Sequence, residues 1–202
     1  MQLLMSPASP YVRKTRVTIR ELGLTGQIEE IALSTNALDT DPRLASANPA
    51  GKIPALTRDD GPTVHDSRVI CRYLDHLAKG SLYPDRRIWE VLTLEATGDA
   101  LCDAAVAMTY EARFKGTEGK SGEWIEAQWA KAARILASLE ARWMSHLSGP
   151  VDAGQIAVAC GLGYLDLRHA GRDWRATVPE LAAWHARFAE RPSMADTVPP
   201  EA

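Results

Sequence analysis

Residues 2–23 read QLLMSPASPYVRKTRVTIRELG, and this stretch predicts a strand followed by a helix. The apolar run QLLM ends at a Ser-Pro pair, which is typical of a short buried strand. After Pro10, apolar residues recur at helical spacing until Gly23, a residue that commonly ends a helix. We expect a mostly solvated face from the four cations of this helix, which are Arg13, Lys14, Arg16 and Arg20.

The segments up to residue 80 continue to alternate between strand and helix patterns. The predicted elements are a strand at 27–33, a short helix at 41–47, two strands at 55–58 and 62–65 joined by an Asp-Asp-Gly turn, and a helix at 67–78. The order is therefore β-α-β-α-β-β-α. The first β-α-β unit implies parallel strands with a crossover helix, and the hairpin adds an antiparallel edge.

Beyond residue 86 only helical patterns recur. They predict a helix at 86–114, a loop at 115–122, a long amphipathic helix with its apolar face at 125–143, and a final helix at 179–190. Asp152 and Gln155 have the spacing of a capping box, in which each side chain bonds the backbone N–H of the other residue. We therefore predict two domains, an α/β domain at residues 1–80 and an all-helical domain at residues 86–202.

Bulk composition argues against several classes of function. The chain has 202 residues and a formal net charge of −3 without a dense basic block, so we expect no nucleic-acid partner. No apolar run approaches the roughly 18 residues of a membrane span, and the first nine residues lack the charge and length of a secretory signal. The cysteines form no Cys-x-x-Cys pair and the histidines show no metal spacing. We therefore expect no membrane anchor, no metal site and a cytoplasmic location.

Ser9-Pro10 places a hydroxyl at the start of the first predicted helix. Serine is favoured as the N-cap and proline at the first helical position, so Ser9 Oγ would lie at the positive end of the helix. Lowering the pKa of a bound thiol from about 8.5 to about 6.5 requires about 2.7 kcal/mol. A hydrogen bond to a charged group supplies about 1.5–3 kcal/mol, and the helix dipole adds about 0.3–1 kcal/mol. The pair therefore fits a thiolate site, although by itself it more often marks a plain helix cap.

Two further junctions have the features of a peptide-binding site. In residues 48–56, NPAGKIPAL, the bond between Ile53 and Pro54 is a candidate cis peptide, and the residue before the proline can offer its N–H and C=O to an extended ligand. Asp66 and Ser67 lie at a strand–helix junction, where a carboxylate can pair with an ammonium group and a helix N-terminus with a carboxylate. A tight turn and another N-cap are the structural alternatives. Together the three junctions supply the parts needed to hold γ-Glu-Cys-Gly.

In combination, five segments resemble the glutathione S-transferase family, in its cytosolic, bacterial type with serine at the thiol-binding position. They are residues 9–16 (SPYVRKTR), 48–56 (NPAGKIPAL), 66–67 (DS), 156–166 (IAVACGLGYLD) and 191–193 (RPS). The resemblance implies a thioredoxin-like N-terminal domain followed by an all-α helical-bundle C-terminal domain, usually in a homodimer. It also implies glutathione as co-substrate, no metal, and a small hydrophobic electrophile as second substrate, in a detoxification role.

By position, the resemblance assigns the thiol and the middle of glutathione to the first two junctions. Ser9 would hold the sulfur, and the backbone of Ile53 would pair with the cysteinyl residue beside a cis Pro54. The omega-like subfamily has cysteine where this chain has Ser9, so we do not expect disulfide exchange through this position.

The two ends of glutathione are assigned to the remaining positions. Asp66 and Ser67 would bind the γ-glutamyl end, and Lys52, on charge alone, the glycine carboxylate. The resulting hypothesis is conjugation of the glutathione thiolate to small electrophiles. Two alternatives stay open: a non-catalytic glutathione-transferase-like binding or scaffold protein, and a glutathione-dependent isomerase or dehalogenase.

Overall fold

The structure, a computed structural model, describes residues 1–115 and 121–200. The chain divides into two compact units: Met1–Ile88 together with residues 192–200, and Trp89–Arg191. Residues 192–200 therefore belong by their contacts to the first unit, whereas the sequence analysis grouped them with the helical half. The predicted loop at 115–122 lies mostly outside the described residues.

Three strands form the sheet of the first unit: β1 (Gln2–Met5), β2 (Glu29–Ala32) and β3 (Ala55–Thr57). The strand order is β2-β1-β3, with β1 parallel to β2 and antiparallel to β3. The predicted fourth strand at 62–65 is wrong as an extended element. Only Val64 pairs with the sheet, through two backbone bonds of 2.9 Å with Leu56, because the next helix begins three residues later.

Three helices pack on this sheet: α1 (Pro10–Glu21), α2 (Pro42–Ala47) and α3 (Ser67–Ala78). Side chains alternate across the sheet along β1. Leu3 and Met5 share a core with α1 and α3, whereas Leu4 shares a core with α2. The helices therefore cover both faces of the sheet. The loops that connect the strands to these helices are held at both of their ends.

The second unit is helical. After a short 3-10 turn at Asp85–Arg87, its helices are α4 (Ile88–Phe114), α5 (Gly122–Arg142), α6 (Met144–Leu147), α7 (Ala153–His169), α8 (Trp174–Thr177) and α9 (Pro179–Ala189). Helix α7 is buried from Ala153 through Leu162. It lies so close to α4 that a Cβ on Gly98 would come within 2.6 Å of the backbone of Ala157. Within the described ranges, no helix is long and apolar enough to cross a membrane.

The predicted capping box at the start of α7 is only half present. Asp152 Oδ1 accepts the backbone N–H of Gln155 at 3.1 Å, as expected for an N-cap. Gln155 does not reciprocate: its Nε2 donates to the carbonyls of His146, Leu147 and Gly149 at 3.0–3.3 Å. The reason is that these carbonyls, in and after the last turn of α6, have acceptor capacity left, and the amide group of Gln155 donates to it.

A short C-terminal helix, α10 (Pro192–Ala195), packs on α1 in the first unit. Arg13 Nη2 donates to the carbonyl of Met194 at 3.2 Å, and the Ser193 hydroxyl donates to the Glu21 carboxylate. The expectation that the cations of α1 are mostly solvated is therefore wrong, because Arg13 lies beneath α10. Lys14 is only 2% exposed.

The two remaining cations of α1 do not lie on an open face either. Arg16 and Arg20 each contact the Glu30 carboxylate at 2.8 Å. Because Glu30 belongs to β2, these ion pairs connect the helix to a strand of the sheet.

Candidate functional site

The three junctions singled out from the sequence lie at one end of the sheet. The loop that carries Ser9 follows the last residue of β1, and Pro54 precedes the first residue of β3. Because β1 and β3 are antiparallel, with Leu4 opposite Ala55, these two loops are at the same end. Val64 runs antiparallel to β3 in turn, so Asp66 and Ser67 also lie there. The topology therefore brings the predicted residues together.

Ser9 is the N-cap of α1, as the sequence predicted. Its backbone is extended, with φ −79° and ψ 129°, and its Oγ accepts the backbone N–H of Val12 at 3.3 Å. That bond uses an oxygen lone pair, and no described residue receives the hydroxyl hydrogen of Ser9. The side chain is only partly buried. Ser9 can therefore donate a hydrogen bond to an anion at the positive end of α1 while keeping its capping role.

The loop at 48–54 is held by a residue whose role the sequence analysis did not identify. Asn48 is 3% exposed, and its side-chain amide donates to the Lys52 carbonyl at 2.8 Å and accepts the Ala50 N–H at 3.0 Å. Gly51 follows with a φ of +61°, a conformation that favours glycine. An asparagine directly before proline is a turn signal that could have identified this role. Asn48 therefore determines how the loop presents its next residues.

Ile53 and Pro54 follow in the cis conformation that the sequence predicted. The Ile53 side chain packs against the cores on both sides of the sheet, and Pro54 is buried. Among the described residues, none hydrogen-bonds to the backbone N–H or C=O of Ile53. Both groups are therefore available to pair with an extended peptide, as in the addition of a strand to a sheet. The Lys52 side chain is exposed and has no ion-pair partner in the described part of the chain.

Asp66 is both a helix cap and an ion-pair partner. Its Oδ1 accepts the backbone N–H of Arg68 at 3.1 Å, and its Oδ2 accepts Arg68 Nη2 at 3.2 Å. Burial raises the pKa of Asp66, but the hydrogen bonds and positive charge of Arg68 outweigh it and hold the pKa below the usual 3.8. The carboxylate is therefore ionised at neutral pH and retains acceptor sites for an ammonium group.

Ser67 is the first residue of α3 and is 4% exposed. Its hydroxyl makes no hydrogen bond to any described residue. A hydroxyl and a helix N-terminus at one position suit a carboxylate. Across residues 1–115 and 121–200, no three His, Cys, Asp or Glu side chains group as metal ligands would. The groups that these candidate residues offer are hydroxyls, backbone amides, a carboxylate and the lysine at position 52.

Two family models match the chain. The Glutathione S-transferase, N-terminal domain matches residues 8–77, and the Glutathione S-transferase, C-terminal domain matches residues 122–187. An Escherichia coli protein described as an uncharacterized GST-like protein, YibF, is 29% identical over the full length of both chains. These matches agree with the resemblance seen in the sequence segments.

Solved structures extend the likeness to the whole chain. A glutathione transferase family member from Pseudomonas fluorescens, with bound glutathione, is 42% identical with a TM-score of 0.96, covering 98% of each chain. A second structure with that description, with bound S-(propanoic acid)-glutathione, is 40% identical with a TM-score of 0.91, covering 99% of this chain and 100% of the other. The predicted fold class, thioredoxin-like followed by all-α, is confirmed.

Proposed function

Because this chain belongs to the glutathione S-transferase family, we propose that it transfers the glutathione thiolate to small electrophiles, with Ser9 as the catalytic residue that stabilises the thiolate. The observation that carries this proposal is the hydroxyl of Ser9. It caps α1 through an oxygen lone pair and retains a hydrogen that it can donate to sulfur. The solved relatives that contain glutathione or a glutathione conjugate support the choice of co-substrate.

The proposed binding mode places the middle of glutathione along the free backbone of Ile53. The cysteinyl residue pairs with the N–H and C=O of Ile53, beside the cis Pro54. The glycine carboxylate lies within reach of Lys52. Asn48 is then a positioning residue, since its amide holds the carbonyl of Lys52 at 2.8 Å.

The γ-glutamyl end binds at the start of α3. Its ammonium group pairs with Asp66, which is ionised at neutral pH, and its carboxylate accepts hydrogen bonds from the hydroxyl and backbone N–H of Ser67. The site therefore presents a negative group to the ammonium and a positive helix end to the carboxylate of one amino-acid headgroup.

The chemistry needs no covalent bond to the protein. The glutathione thiol loses its proton to water, and the Ser9 hydroxyl with the positive end of α1 stabilises the sulfur anion. The hydrogen bond contributes about 1.5–3 kcal/mol and the helix dipole about 0.3–1 kcal/mol. Together they are large enough for a shift of two pKa units, which requires roughly 2.7 kcal/mol. The thiolate then forms a C–S bond with the electrophile, and a leaving group departs with its electron pair. In additions to a double bond, water instead protonates the resulting carbanion.

The assembly and location that we propose follow the family as well. We expect a homodimer, a cytoplasmic location and a role in detoxification. Exposed apolar side chains support an interface between copies: Trp89 on α4 is 76% exposed, and Val69 and Leu77 on α3 are exposed too. Sedimentation equilibrium tests this expectation, because a monomer at micromolar concentration would contradict the homodimer.

The experiment that tests the central proposal is a pH titration of the ultraviolet absorbance of the glutathione thiolate bound to the protein. We expect the wild-type protein to lower the pKa of the thiol below neutral and Ser9→Ala to return most of that shift. Ser121→Ala is the matched control, because Ser121 caps α5 through the same bond, to the N–H of Trp124 at 3.1 Å. It removes an N-cap that belongs to none of the three junctions.

The outcomes separate the alternatives. If wild-type protein binds glutathione but leaves its thiol pKa unchanged, the binding or scaffold function replaces transfer. If the thiol ionises below neutral but only isomerisation or dehalogenation products form in a substrate screen, the reaction class changes while the role of Ser9 stands.

A further inference from the structure

A buried cation lies in α1, one helical turn after Ser9. Arg13 is 7% exposed, and its Nη2 donates to the Met194 carbonyl at 3.2 Å. Its Nε is buried and has no hydrogen-bond partner within residues 1–115 and 121–200. No carboxylate in those ranges pairs with this guanidinium group either. Among the described residues, the positive charge of Arg13 is therefore buried without a compensating negative charge.

The neighbouring arginines of the same helix differ from Arg13 in this respect. Arg16 and Arg20 both contact the carboxylate of Glu30 at 2.8 Å. Arg13 has only a neutral carbonyl group as its partner. Burying a cation without a carboxylate costs free energy, so such a residue is a candidate for a functional role.

Helical geometry places this cation close to the candidate thiolate site. The backbone N–H of Arg13 donates to the Ser9 carbonyl at 2.9 Å, so the two residues share one face of α1. Four residues of helix rise by about 6 Å. With a side chain of similar length, the guanidinium group lies on the order of 10 Å from an anion held by Ser9.

Burial keeps a charge effective at that distance. Salt screens exposed charges that are more than about 8–10 Å apart, but it screens buried charges much less. In surroundings with an effective dielectric constant of about 20, a unit charge about 10 Å away lowers the pKa of a thiol by about one unit. This contribution adds to those of the Ser9 hydroxyl and the positive end of α1.

A purely structural role for Arg13 is the competing explanation. Its contact with Met194 ties α10 to α1, and the hydroxyl of Ser193 makes a second tie to the Glu21 carboxylate. The first tie needs only one hydrogen-bond donor, which a neutral amide side chain would also supply. The tie therefore does not account for the buried positive charge.

We propose that the Arg13 cation, held in place by the carbonyl of Met194, stabilises the sulfur anion that glutathione presents at Ser9. Arg13 acts on the sulfur through space without touching it, so it is a positioning residue. The identification of this anion as glutathione rests on the proposed function, whereas the effect of Arg13 on an anion at position 9 does not.

The first arm of the test replaces glutathione by a thiol built into the chain. In Ser9→Cys, the pH dependence of alkylation by iodoacetamide gives the pKa of the introduced thiol. The three native cysteines, Cys71, Cys102 and Cys160, are only 0–2% exposed and do not compete. Adding Arg13→Gln, which keeps a donor for Met194 but removes the charge, should raise that pKa by about one unit. Adding Arg13→Lys, which keeps the charge, should raise it by less than half as much.

Two controls separate the charge from its surroundings. Ser193→Ala removes the other tie between α10 and α1 without removing a cation. Arg142→Met removes an exposed cation in the last turn of α5. Neither should change the pKa of the introduced thiol. An equal rise in either control would overturn the proposal, because loosening of α10 or overall charge would then be the cause.

A second neutral variant guards against a failure of Arg13→Gln to fold. Arg13→Met fills the space of the side-chain stem, and circular dichroism shows which variants retain the fold. A folded neutral variant in which the pKa of the introduced thiol is unchanged would overturn the proposal. So would an equal rise in Arg13→Lys and the neutral variants, because the shape of the side chain and not its charge would then matter.

The second arm uses glutathione and the native Ser9. Arg13→Gln should raise the thiol pKa of bound glutathione by about one unit in the ultraviolet titration. It should change the dissociation constant of glutathione less than about threefold at a pH where the thiol is protonated. If Arg13 shifts the introduced thiol but the wild-type protein does not ionise glutathione, the proposed transfer reaction fails and the effect of Arg13 stands. If glutathione is ionised but neither thiol responds to Arg13, the transfer reaction stands and the role of Arg13 fails.

Discussion

The Nε2 atom of His146 lies 2.7 Å from Oδ2 of Asp152, a carboxylate that is 0% exposed. The other oxygen of the same carboxylate caps α7 through the N–H of Gln155. One buried side chain therefore connects α6 to the first turn of the most buried helix of the second unit.

Asp152→Ala should destabilise the protein by about 2–4 kcal/mol, because it removes an N-cap worth about 1 kcal/mol and leaves the partly buried ring of His146 without this partner. Urea unfolding followed by circular dichroism measures the change. Asp41→Ala is the control, since Asp41 caps the short helix α2 through the N–H of Arg43 at 2.8 Å, where we expect about 1 kcal/mol or less. Similar losses in both variants would show that the ring of His146 contributes nothing.

Arg68→Met should raise the pKa of Asp66, because the side chain of Arg68 supplies most of what lowers it. A carboxyl whose folded-state pKa is depressed stays ionised down to that pKa, so glutathione binding that depends on Asp66 is lost only as the pH falls through it. In the variant, that loss should begin at a higher pH. Carboxyl NMR measures the pKa of Asp66. Calorimetry between pH 3 and pH 7, an interval that includes the usual carboxyl pKa of about 3.9, measures the affinity for glutathione.

The matched control for this variant is Arg43→Met. Arg43 contacts the capping carboxylate of Asp41 at 2.9 Å with the same spacing in sequence, and it lowers the pKa of Asp41 in the same way. It should raise the pKa of Asp41 and leave glutathione binding unchanged. If both variants raise by the same amount the pH at which glutathione binding is lost, that change does not arise from the titration of Asp66.

Asn48→Ala should weaken glutathione binding by about tenfold, because the Lys52 carbonyl and the Ala50 N–H lose their partner and the loop before Pro54 is no longer fixed. The effect should appear in the dissociation constant more than in the thiol pKa of glutathione that is bound. Asn36→Ala is the control, since Asn36 makes similar bonds to the N–H groups of Leu38 and Asp39 in an exposed turn. An unchanged affinity in Asn48→Ala would remove its positioning role.

Gly98→Ala should destabilise the helical unit by about 1–3 kcal/mol, since the added methyl group would meet the backbone of Ala157 and Val158 at 2.6 Å and force α4 away from α7. Thermal unfolding measures the change. Gly122→Ala, at the start of α5, meets nothing within 4 Å and should be neutral or slightly stabilising. A neutral result at Gly98 would mean that the two helices can separate without cost.

Local signals were sufficient for much of the fold. The sequence predicted the bounds of β1 and α3 as the structure has them, and it placed Ser9 as a cap, because strand patterns, caps and stop signals act over a few residues. The cis bond before Pro54 was likewise signalled by the proline itself.

The errors arose where distant residues decide the outcome. Arg13 is buried because α10 returns to cover it, which no pattern within α1 indicates. Gln155 donates to the end of α6 instead of completing a box, because carbonyls six to nine residues earlier compete for its amide. The role of Asn48 depends on the loop geometry at Lys52. Such choices depend on tertiary contacts, which single-sequence patterns do not contain.

The packing of α10 on α1 also has a consequence for synthesis on the ribosome. The first unit begins at Met1 but is completed by residues 192–200, so about a hundred residues of the second unit are translated after Ile88 before the Met194 carbonyl that Arg13 contacts is made. At about 5–20 residues per second, this delay lasts roughly 5–20 s. During that interval, the nascent chain exposes the surface of α1 that its last helix will cover.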